Sequence, residues 1–129
     1  MITFHLDARS GVAPYLQIVR QVRQALLLGL LAEGDKLPTV KEVVAKIAIN
    51  PNTVSKAYRE LEHQGLAAAK PGVGTFITQS LGHASLTEHG PLQQELRSWM
   101  DKARAAGLTD PGIEAMFQNT LSASAEEER

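Results

Sequence analysis

Apolar residues between Leu37 and Leu66 recur in two short runs that are separated by a polar break. In each run the apolar positions follow the i, i+3, i+4, i+7 spacing, which places them along one side of an α-helix. The first run comprises Val40, Val43, Val44 and Ile47, and the second comprises Val54, Ala57, Tyr58 and Leu61. The pattern therefore predicts two consecutive amphipathic helices, each with one face in a core.

Polar residues mark where both helices begin. Thr39 precedes Glu42 by three residues, the spacing of a capping box in which each side chain satisfies a free backbone N–H of the other residue. The first helix is therefore predicted to begin at Val40. Asn50 offers a capping side chain, and Pro51 suits the first helical position because that residue needs no N–H donor. The second helix is therefore predicted to begin at Pro51.

The face of the second helix opposite its apolar stripe is polar and carries positive charge. At about 100° per residue this face presents Asn52, Lys56, Arg59 and His63, with Thr53 and Ser55 on its flanks. Amide, hydroxyl and cationic groups near a helix N-terminus suit the base edges and phosphates of DNA. An ordinary solvated helix face would show the same pattern, so periodicity alone leaves both interpretations open.

Two short β-capable runs, residues 66–69 and 75–78, enclose the segment Lys70-Pro71-Gly72-Val73-Gly74. A Pro-Gly tip between two such runs predicts a β-hairpin, which would form the wing of a winged helix-turn-helix. The Gly72-x-Gly74 pair is a weak indication of a phosphate-binding loop, because a dinucleotide site also needs a preceding strand, a following helix and a third glycine. A strand is expected to follow here, so nucleotide binding is the less favoured interpretation.

The ordered set of motifs across residues 10 to 78 resembles the GntR family of bacterial transcription regulators. The matching elements are Pro14-x-x-Gln17-Ile18, Gly29-x-Leu31-x-x-Gly34-Asp35-x-Leu37-Pro38, Asn50-Pro51-Asn52-Thr53-Val54-x-Lys56-Ala57-Tyr58-x-x-Leu61-x-x-x-Gly65-Leu66 and Gly72-x-Gly74-Thr75-Phe76. The chain departs from the family pattern at Thr39 and Lys41, where Ser-x-Arg is usual, and at Val43-Val44, where Leu-Ala is usual. Lys41 keeps the charge of arginine but lacks its planar fork, which argues against a bidentate contact there.

Together, the pattern and the resemblance imply a regulator that binds an operator in double-stranded DNA. The DNA-binding residues are predicted to be Lys41, Asn50, Asn52, Thr53, Ser55, Lys56, Arg59, Lys70 and Gly72. A protein-interaction module that has lost DNA affinity is the alternative, although the cations retained on one side argue against it. Counterion release would make the binding of DNA, but not of a protein partner, strongly dependent on salt.

The residues after the wing are too few for the large effector domains that other branches of the family carry. They resemble the YtrA-type branch, in which a short helical pair serves dimerisation. We predict a winged domain in residues 1–78, a linker in residues 79–90, and a helical hairpin with an acidic tail in residues 91–129, with helices beginning at Pro91 and near Asp110. The predicted homodimer contacts are Leu92, Leu96, Trp99, Met100, Ala103, Ile113, Met116, Phe117 and Leu121. Packing of these helices against the winged domain is the alternative.

The fold class predicted for the whole chain is mainly α-helical with a small β-hairpin wing, a winged helix-turn-helix followed by a C-terminal helical hairpin.

Residues 1–80 contain nine Lys or Arg and six Asp or Glu, whereas residues 81–129 contain four Lys or Arg and eight Asp or Glu. The formal net charge of the whole chain is −1, but it is the sum of a basic winged domain and an acidic C-terminal part.

The sequence also limits the chemistry of the chain. No cysteine is present, and neither a signal peptide nor a membrane-spanning run is evident, so a cytoplasmic location and no membrane partner are expected. The four histidines show no metal-ligand spacing, and no catalytic motif is visible. Metal binding by His83 and His89 in a dimer is a weaker alternative. We predict no enzymatic activity, no cofactor and no metal. An unidentified small-molecule effector is left open. It would alter the distance between the two recognition helices of the dimer, which are the helices that begin at Pro51, and the fluorescence of Trp99 would report its binding.

Overall fold

The computed structural model describes residues 2–82 and 86–127 of the chain, and within them it contains five helices and a two-stranded antiparallel sheet. The elements follow in the order α1 (Pro14–Leu27), α2 (Val40–Ile47), α3 (Pro51–His63), β1 (Ala67–Lys70), β2 (Gly74–Ile77), α4 (Leu86–Ala105) and α5 (Asp110–Glu127). The chain divides into two compact units, Met1–Glu88, here called the winged domain, and His89–Arg129, here called the C-terminal unit. The prediction of a mainly helical winged helix-turn-helix with a C-terminal helical hairpin is confirmed.

The core of the winged domain forms where α1, α2 and α3 meet the wing. Its fully buried side chains are Ile18, Val22 and Leu26 of α1, Leu37 before α2, Val54 and Leu61 of α3, and Leu66 and Ile77 at the ends of the wing. The predicted stripe of α3 faces this core, and so does that of α2 except for Val44, which is partly exposed and is not part of the core cluster. Val43, Val54, Ala57, Tyr58 and Leu61 are buried, while Val40 and Ile47 are partly buried against them.

The N-terminal segment is fixed to α1 by two glutamine side chains. The Gln17 side chain, which is 9% exposed, accepts a hydrogen bond from the Asp7 backbone N–H at 2.8 Å and donates one to the Asp7 carbonyl oxygen at 3.0 Å. One turn later, Gln21 accepts from the His5 backbone N–H at 2.9 Å and donates to the His5 carbonyl oxygen. These pairs replace the backbone partners that the segment would find in a sheet, and they hold Phe4 in the core.

The wing contains a second line of backbone pairing, made by a third segment, that the sequence did not predict. The strands pair in the register Ala67↔Ile77 through Lys70↔Gly74. On the other edge of β2, the backbone N–H of Leu37 donates to the Thr75 carbonyl at 2.9 Å, and that of Ile77 donates to the Asp35 carbonyl at 2.8 Å. The segment before α2 therefore joins the wing to the helix-turn-helix.

Two predicted boundaries after the wing were wrong. The linker was expected to begin at residue 79, yet Leu81 packs against the core of the winged domain. The next helix was expected to begin at Pro91, yet α4 begins at Leu86 and contains Pro91. A proline inside a helix loses one backbone hydrogen bond, but here only about one turn precedes it, so few residues are affected.

Candidate nucleic-acid interface

Local capping interactions fix the first residues of α2 and of α3. The Thr39 hydroxyl accepts the Glu42 backbone N–H at 3.1 Å, while the Glu42 carboxylate accepts from the Thr39 backbone, which is the predicted capping box. At the start of α3, the Asn50 side chain accepts the Asn52 backbone N–H at 2.8 Å. Both predicted helix starts, Val40 and Pro51, are confirmed. Between the helices, Ala48 adopts a left-handed conformation with φ of 50° and ψ of 44°.

The buried side of α3 holds the helix in a defined orientation. Tyr58 lies in the core, and its hydroxyl donates a hydrogen bond to the Pro38 carbonyl oxygen just before α2. Burial raises the pKa of the Tyr58 phenol well above its ordinary value, and the negative charge of Glu42 adds to this effect. The phenol is therefore protonated at neutral pH and can serve as the donor in this bond. The bond ties α3 to the segment that precedes α2.

The side of α3 that faces away from the core carries the predicted DNA-reading residues. Asn52, Lys56 and Arg59 are exposed, and Thr53 and Ser55 are partly exposed beside them. The Asn50 side chain is occupied as the N-terminal cap, so one of the nine predicted DNA-binding residues already has a structural role. The amide of Asn52 is close to the helix N-terminus, where the free N–H groups and the helix dipole favour anions.

Two of the lysines predicted to bind DNA stand over aromatic rings. Lys56 Nζ lies 4.2 Å from the centre of the Tyr15 ring, and Lys70 Nζ lies 4.8 Å from the centre of the Phe76 ring. Both distances fall within the range in which a ring quadrupole attracts a cation. The Tyr15 ring is 41 residues from Lys56 in the sequence, so no local motif indicates that contact, whereas Phe76 reaches Lys70 through the pairing of the two strands of the wing.

The tip of the wing is shaped by glycines and by a lysine from outside the hairpin. Gly72 has a φ of 75°, in the left-handed region that glycine adopts without strain. A Cβ atom placed on Gly74 would lie 2.6 Å from Cε of Lys36, so the aliphatic part of Lys36 runs across the backbone of the wing. Lys36 thus adds a cation beside Lys70. Its bridge to Phe76 arises from long-range strand pairing, which no local motif indicates.

The charges on this surface are not neutralised by nearby carboxylates. Within residues 2–82 and 86–127, the one ion pair joins Arg104 and Asp110 in the C-terminal unit, at 3.2 Å. Lys41 is exposed on α2, as is Arg59 on α3. Cations without an acidic partner are available to the phosphates of a nucleic acid.

The predicted dimer residues divide into a buried and an exposed set within the C-terminal unit. Ala103 and Ile113 are 6% and 3% exposed, and the rings of Trp99 and Phe117 meet with their centres 5.2 Å apart. Trp99, Met100 and Phe117 are partly buried. The exposed set comprises Leu92, Leu96, Met116 and Leu121, whose side chains are 38–64% exposed. A cleft of about 210 Å³ is lined by Trp99, Met116, Phe117 and Thr120.

Neither a membrane span nor a cluster of metal ligands is found in the part of the chain that the structure describes. None of its helices combines the length and apolar character that crossing a bilayer requires. No group of three or more His, Cys, Asp or Glu residues is arranged there to hold a metal ion. The side chains of His83 and His89, considered above as a weaker metal-binding alternative, lie outside the described residues.

Comparisons with known proteins agree with this geometry. The chain is 45% identical over 75 residues to the HTH-type transcriptional repressor YtrA of Bacillus subtilis, a match that covers 58% of either chain. It is 33% identical over 101 residues to the transcriptional regulator YhcF of the same organism, covering 78% of this chain and 84% of YhcF. These names denote regulators of transcription, in agreement with the prediction of a protein that is not an enzyme.

A solved structure shows the same fold across both units. It is that of a transcriptional antiterminator from Listeria monocytogenes EGD-e, with a TM-score of 0.59 and 30% identity, and the match covers 92% of this chain and 90% of that one. Residues 14–77 also match the model of the bacterial regulatory proteins of the gntR family. The matched span runs from the start of α1 to the end of β2, which is the part that builds the interface. The chain therefore belongs to the GntR family and is a DNA-binding regulator of transcription.

Proposed function

We propose that the protein is a repressor that binds a pseudo-palindromic operator as a homodimer. In this proposal α3 of each subunit enters the major groove, the wings lie near the adjacent minor groove, and bound protein blocks the promoter. The observation that carries the proposal is the exposed polar face of α3, which is held by the buried Tyr58 contact and is free of neutralising carboxylates in the described residues. The similarity to the YtrA repressor of B. subtilis supports the repressing role.

The residues of the interface divide into base-reading and phosphate-binding groups. Asn52, with Ser55 beside it, faces base edges, because an amide pairs well with adenine in the major groove. Thr53 and Asn50 at the helix N-terminus, and the backbone at Gly72 in the wing, contact the sugar-phosphate backbone. The cations that bind phosphates are Lys41, Lys56, Arg59 and Lys70.

The C-terminal unit would hold the two subunits together. The exposed leucines at 92, 96 and 121 and Met116 form apolar surface that one copy of the unit leaves in water. Burying that surface against a second copy is favourable by roughly 25 cal/mol for each Å² removed from water. Trp99, Met100, Ala103, Ile113 and Phe117 would support this contact from within each helical pair.

The proposals on regulation and biological context rest on analogy with the YtrA-type branch. The YtrA-type resemblance favours a cytoplasmic protein that controls a neighbouring transporter operon. Any effector would be small, because the C-terminal unit contains no large domain. It would act by its differential affinity for two arrangements of the dimer, and the cleft beside Trp99 is one place where it could bind.

Selection of bound fragments from random duplex DNA tests the proposal. We expect an enriched sequence with two related half-sites, and an affinity that falls steeply as salt is added. A selected sequence with a single half-site would contradict the homodimeric operator. If no duplex is enriched, or if DNA affinity does not change with salt, the protein-interaction module is favoured instead.

Two substitutions then separate the roles of the contacts. Asn52→Ala should change the selected sequence at one position in each half-site, because it removes a base-reading amide. Lys70→Ala should weaken binding to all sequences about equally and reduce the salt slope by about one per subunit, or about two for the dimer. Lys102→Ala, which removes a cation from the C-terminal unit, is the matched control and should leave both properties unchanged. If Asn52→Ala lowered affinity uniformly with no change of sequence preference, the assigned roles would be wrong.

A further inference from the structure

The contact between Lys56 and Tyr15 joins the recognition helix to the first turn of α1. Lys56 lies on the exposed face of α3, four residues after Asn52 and three before Arg59. Its Nζ atom is 4.2 Å from the centre of the partly buried Tyr15 ring, which itself packs against the core of the winged domain. A fixed ring at the edge of the DNA-reading face therefore attracts the end of an otherwise flexible side chain.

An aromatic ring differs from a carboxylate in how it holds a lysine. A carboxylate neutralises the ammonium charge, and a phosphate must then displace it before the lysine can bind DNA. A ring attracts the ammonium through its quadrupole and leaves the net charge in place. The ammonium N–H groups that point away from the ring remain able to donate to a phosphate. The lysine can thus be ordered before DNA arrives, which lowers the entropy lost on binding.

The same arrangement occurs at the wing. Lys70 and Phe76 are diagonal neighbours across the hairpin, because Phe76 pairs with Ala68 and successive residues alternate between faces. Lys70 Nζ stands 4.8 Å from the centre of the Phe76 ring. Two of the four cations proposed to bind phosphates are therefore positioned by rings, one at α3 and one at the wing.

We infer that Tyr15 is a positioning residue for DNA binding, whose ring holds Lys56 over the face of α3 ready to contact a phosphate. The Phe76 ring stands in a similar relation to Lys70 at the wing. The inference rests on the proposed function, in which Lys56 binds the DNA backbone. It adds that the aromatic ring of Tyr15, and not its hydroxyl group, determines part of the affinity.

A double-mutant cycle tests this inference on the full chain with the selected operator duplex. Tyr15→Leu should weaken binding about two- to five-fold per subunit, because Lys56 must then be ordered when DNA binds, at a cost of about 0.5–1 kcal/mol. Tyr15→Phe keeps the ring and should bind like the unaltered protein. In the background of Lys56→Gln, Tyr15→Leu should have no further effect, because the cation it positions is gone. Lys102→Gln is the control for loss of one charge outside the interface.

Nuclear magnetic resonance of the free protein provides a readout that does not depend on binding. The ε-methylene protons of Lys56 should be shifted upfield by the ring current in the unaltered protein and in Tyr15→Phe, and should return toward the free-lysine position in Tyr15→Leu. This comparison also applies if Tyr15→Leu unfolds, because the first two proteins retain the ring. Unshifted Lys56 protons in the unaltered protein would overturn the inference.

The remaining outcomes separate the inference from the proposed function. If Lys56→Gln leaves the salt slope unchanged, the phosphate role of Lys56 fails and the positioning role fails with it. If Lys56→Gln reduces the slope by about one per subunit while Tyr15→Leu binds normally, the inference alone is overturned. Weak binding by Tyr15→Phe would assign the effect to the hydroxyl group and would equally overturn it. If Tyr15→Leu weakens binding as much in the Lys56→Gln background as in the unaltered protein, Tyr15 acts through the fold and the inference is again overturned.

Discussion

The winged domain and the C-terminal unit differ in how they bury their apolar residues. In the winged domain, side chains from three helices and both strands converge on one core. In the C-terminal unit, the buried apolar residues among those described are Ala103 and Ile113, and four larger residues are exposed. Both regions were predicted to be amphipathic, so apolar periodicity alone did not distinguish a helix that completes a core from one that lacks a covering partner.

This difference indicates which region can bury its apolar residues within a single chain. The winged domain has a core of its own, so we expect it to fold without a partner. The two helices of the C-terminal unit leave the exposed set in water. Each apolar stripe has only one neighbouring helix in the pair, and one helix covers only part of a stripe about 100° wide. The unit is therefore expected to depend on further burial, which a second copy of it would provide.

Removal of residues 91–129 should have the largest effect. The shortened protein should retain the folded winged domain but sediment as a monomer. Its operator affinity should fall by a factor of about 10²–10⁴, because the second half-site is no longer held at high effective concentration. Sedimentation velocity and operator titration measure the two effects.

A full-length control separates loss of the dimer from loss of chain. Leu96→Asp places a charge within the exposed apolar set and should give the same monomer with the same weak binding. Glu95→Gln, at the neighbouring exposed position, should remain dimeric. A dimer formed by the shortened protein would contradict the assignment of the C-terminal unit.

A pair of leucine truncations compares the two regions directly. Leu61→Ala should lower the free energy of unfolding by about 2–5 kcal/mol, because Leu61 is fully buried and its loss leaves a cavity. Leu121 is 64% exposed, so Leu121→Ala should have little effect at low protein concentration. Urea denaturation followed by circular dichroism at several concentrations measures both. A Leu121→Ala effect that grew with concentration would support a dimer contact, and one equally large at every concentration would contradict it.

The features that the sequence predicted well are those determined within a few residues. Thr39 and Glu42, and Asn50 and Pro51, locate the two helix starts because a cap and the N–H it satisfies are close in the chain. The polar face of α3 followed from the helical period. Lys56 and Tyr15, by contrast, are 41 residues apart, and their contact arises from the packing of α1 against α3.

The errors after the wing have the same origin. Residues 79–82 have the polar, small composition typical of a linker, yet Leu81 among them packs on a surface formed by distant elements. Pro91 is locally compatible with the first position of a helix, but the preceding residues extend the helix by one turn. Local preference did not determine either boundary.

An alkaline titration should show the contribution of the buried Tyr58. The folded-state pKa is raised, so above the ordinary tyrosine value of about 10 the unfolded chain loses a proton that the folded chain keeps. Stability from this group is therefore fully present below about pH 10 and should fall by about 1.4 kcal/mol per pH unit above it. Denaturation between about pH 8 and pH 11, a range that spans the ordinary tyrosine pKa, measures the slope.

Tyr58→Phe provides the control for that slope. The variant should be less stable near neutral pH by about 1–3 kcal/mol, because the Pro38 carbonyl oxygen loses its donor. Above the ordinary tyrosine pKa its stability should decline less steeply than that of the unaltered protein. Equal slopes in the two proteins would show that other groups cause the alkaline loss.

The smallest effect concerns the turn that sets α3 against α2. Ala48 has a φ of 50°, and a Cβ atom in this conformation costs about 1–2 kcal/mol. Ala48→Gly relieves that cost, but the greater conformational entropy of glycine stabilises the unfolded chain by about 0.4–1 kcal/mol. A net stabilisation of the folded protein by about 0.5 kcal/mol is therefore expected. Ala45→Gly, at an exposed position within α2, is the matched control and should instead destabilise by about 0.5–1 kcal/mol. Thermal unfolding of the two variants should therefore shift in opposite directions. Destabilisation by both would show that the left-handed conformation of Ala48 is not strained.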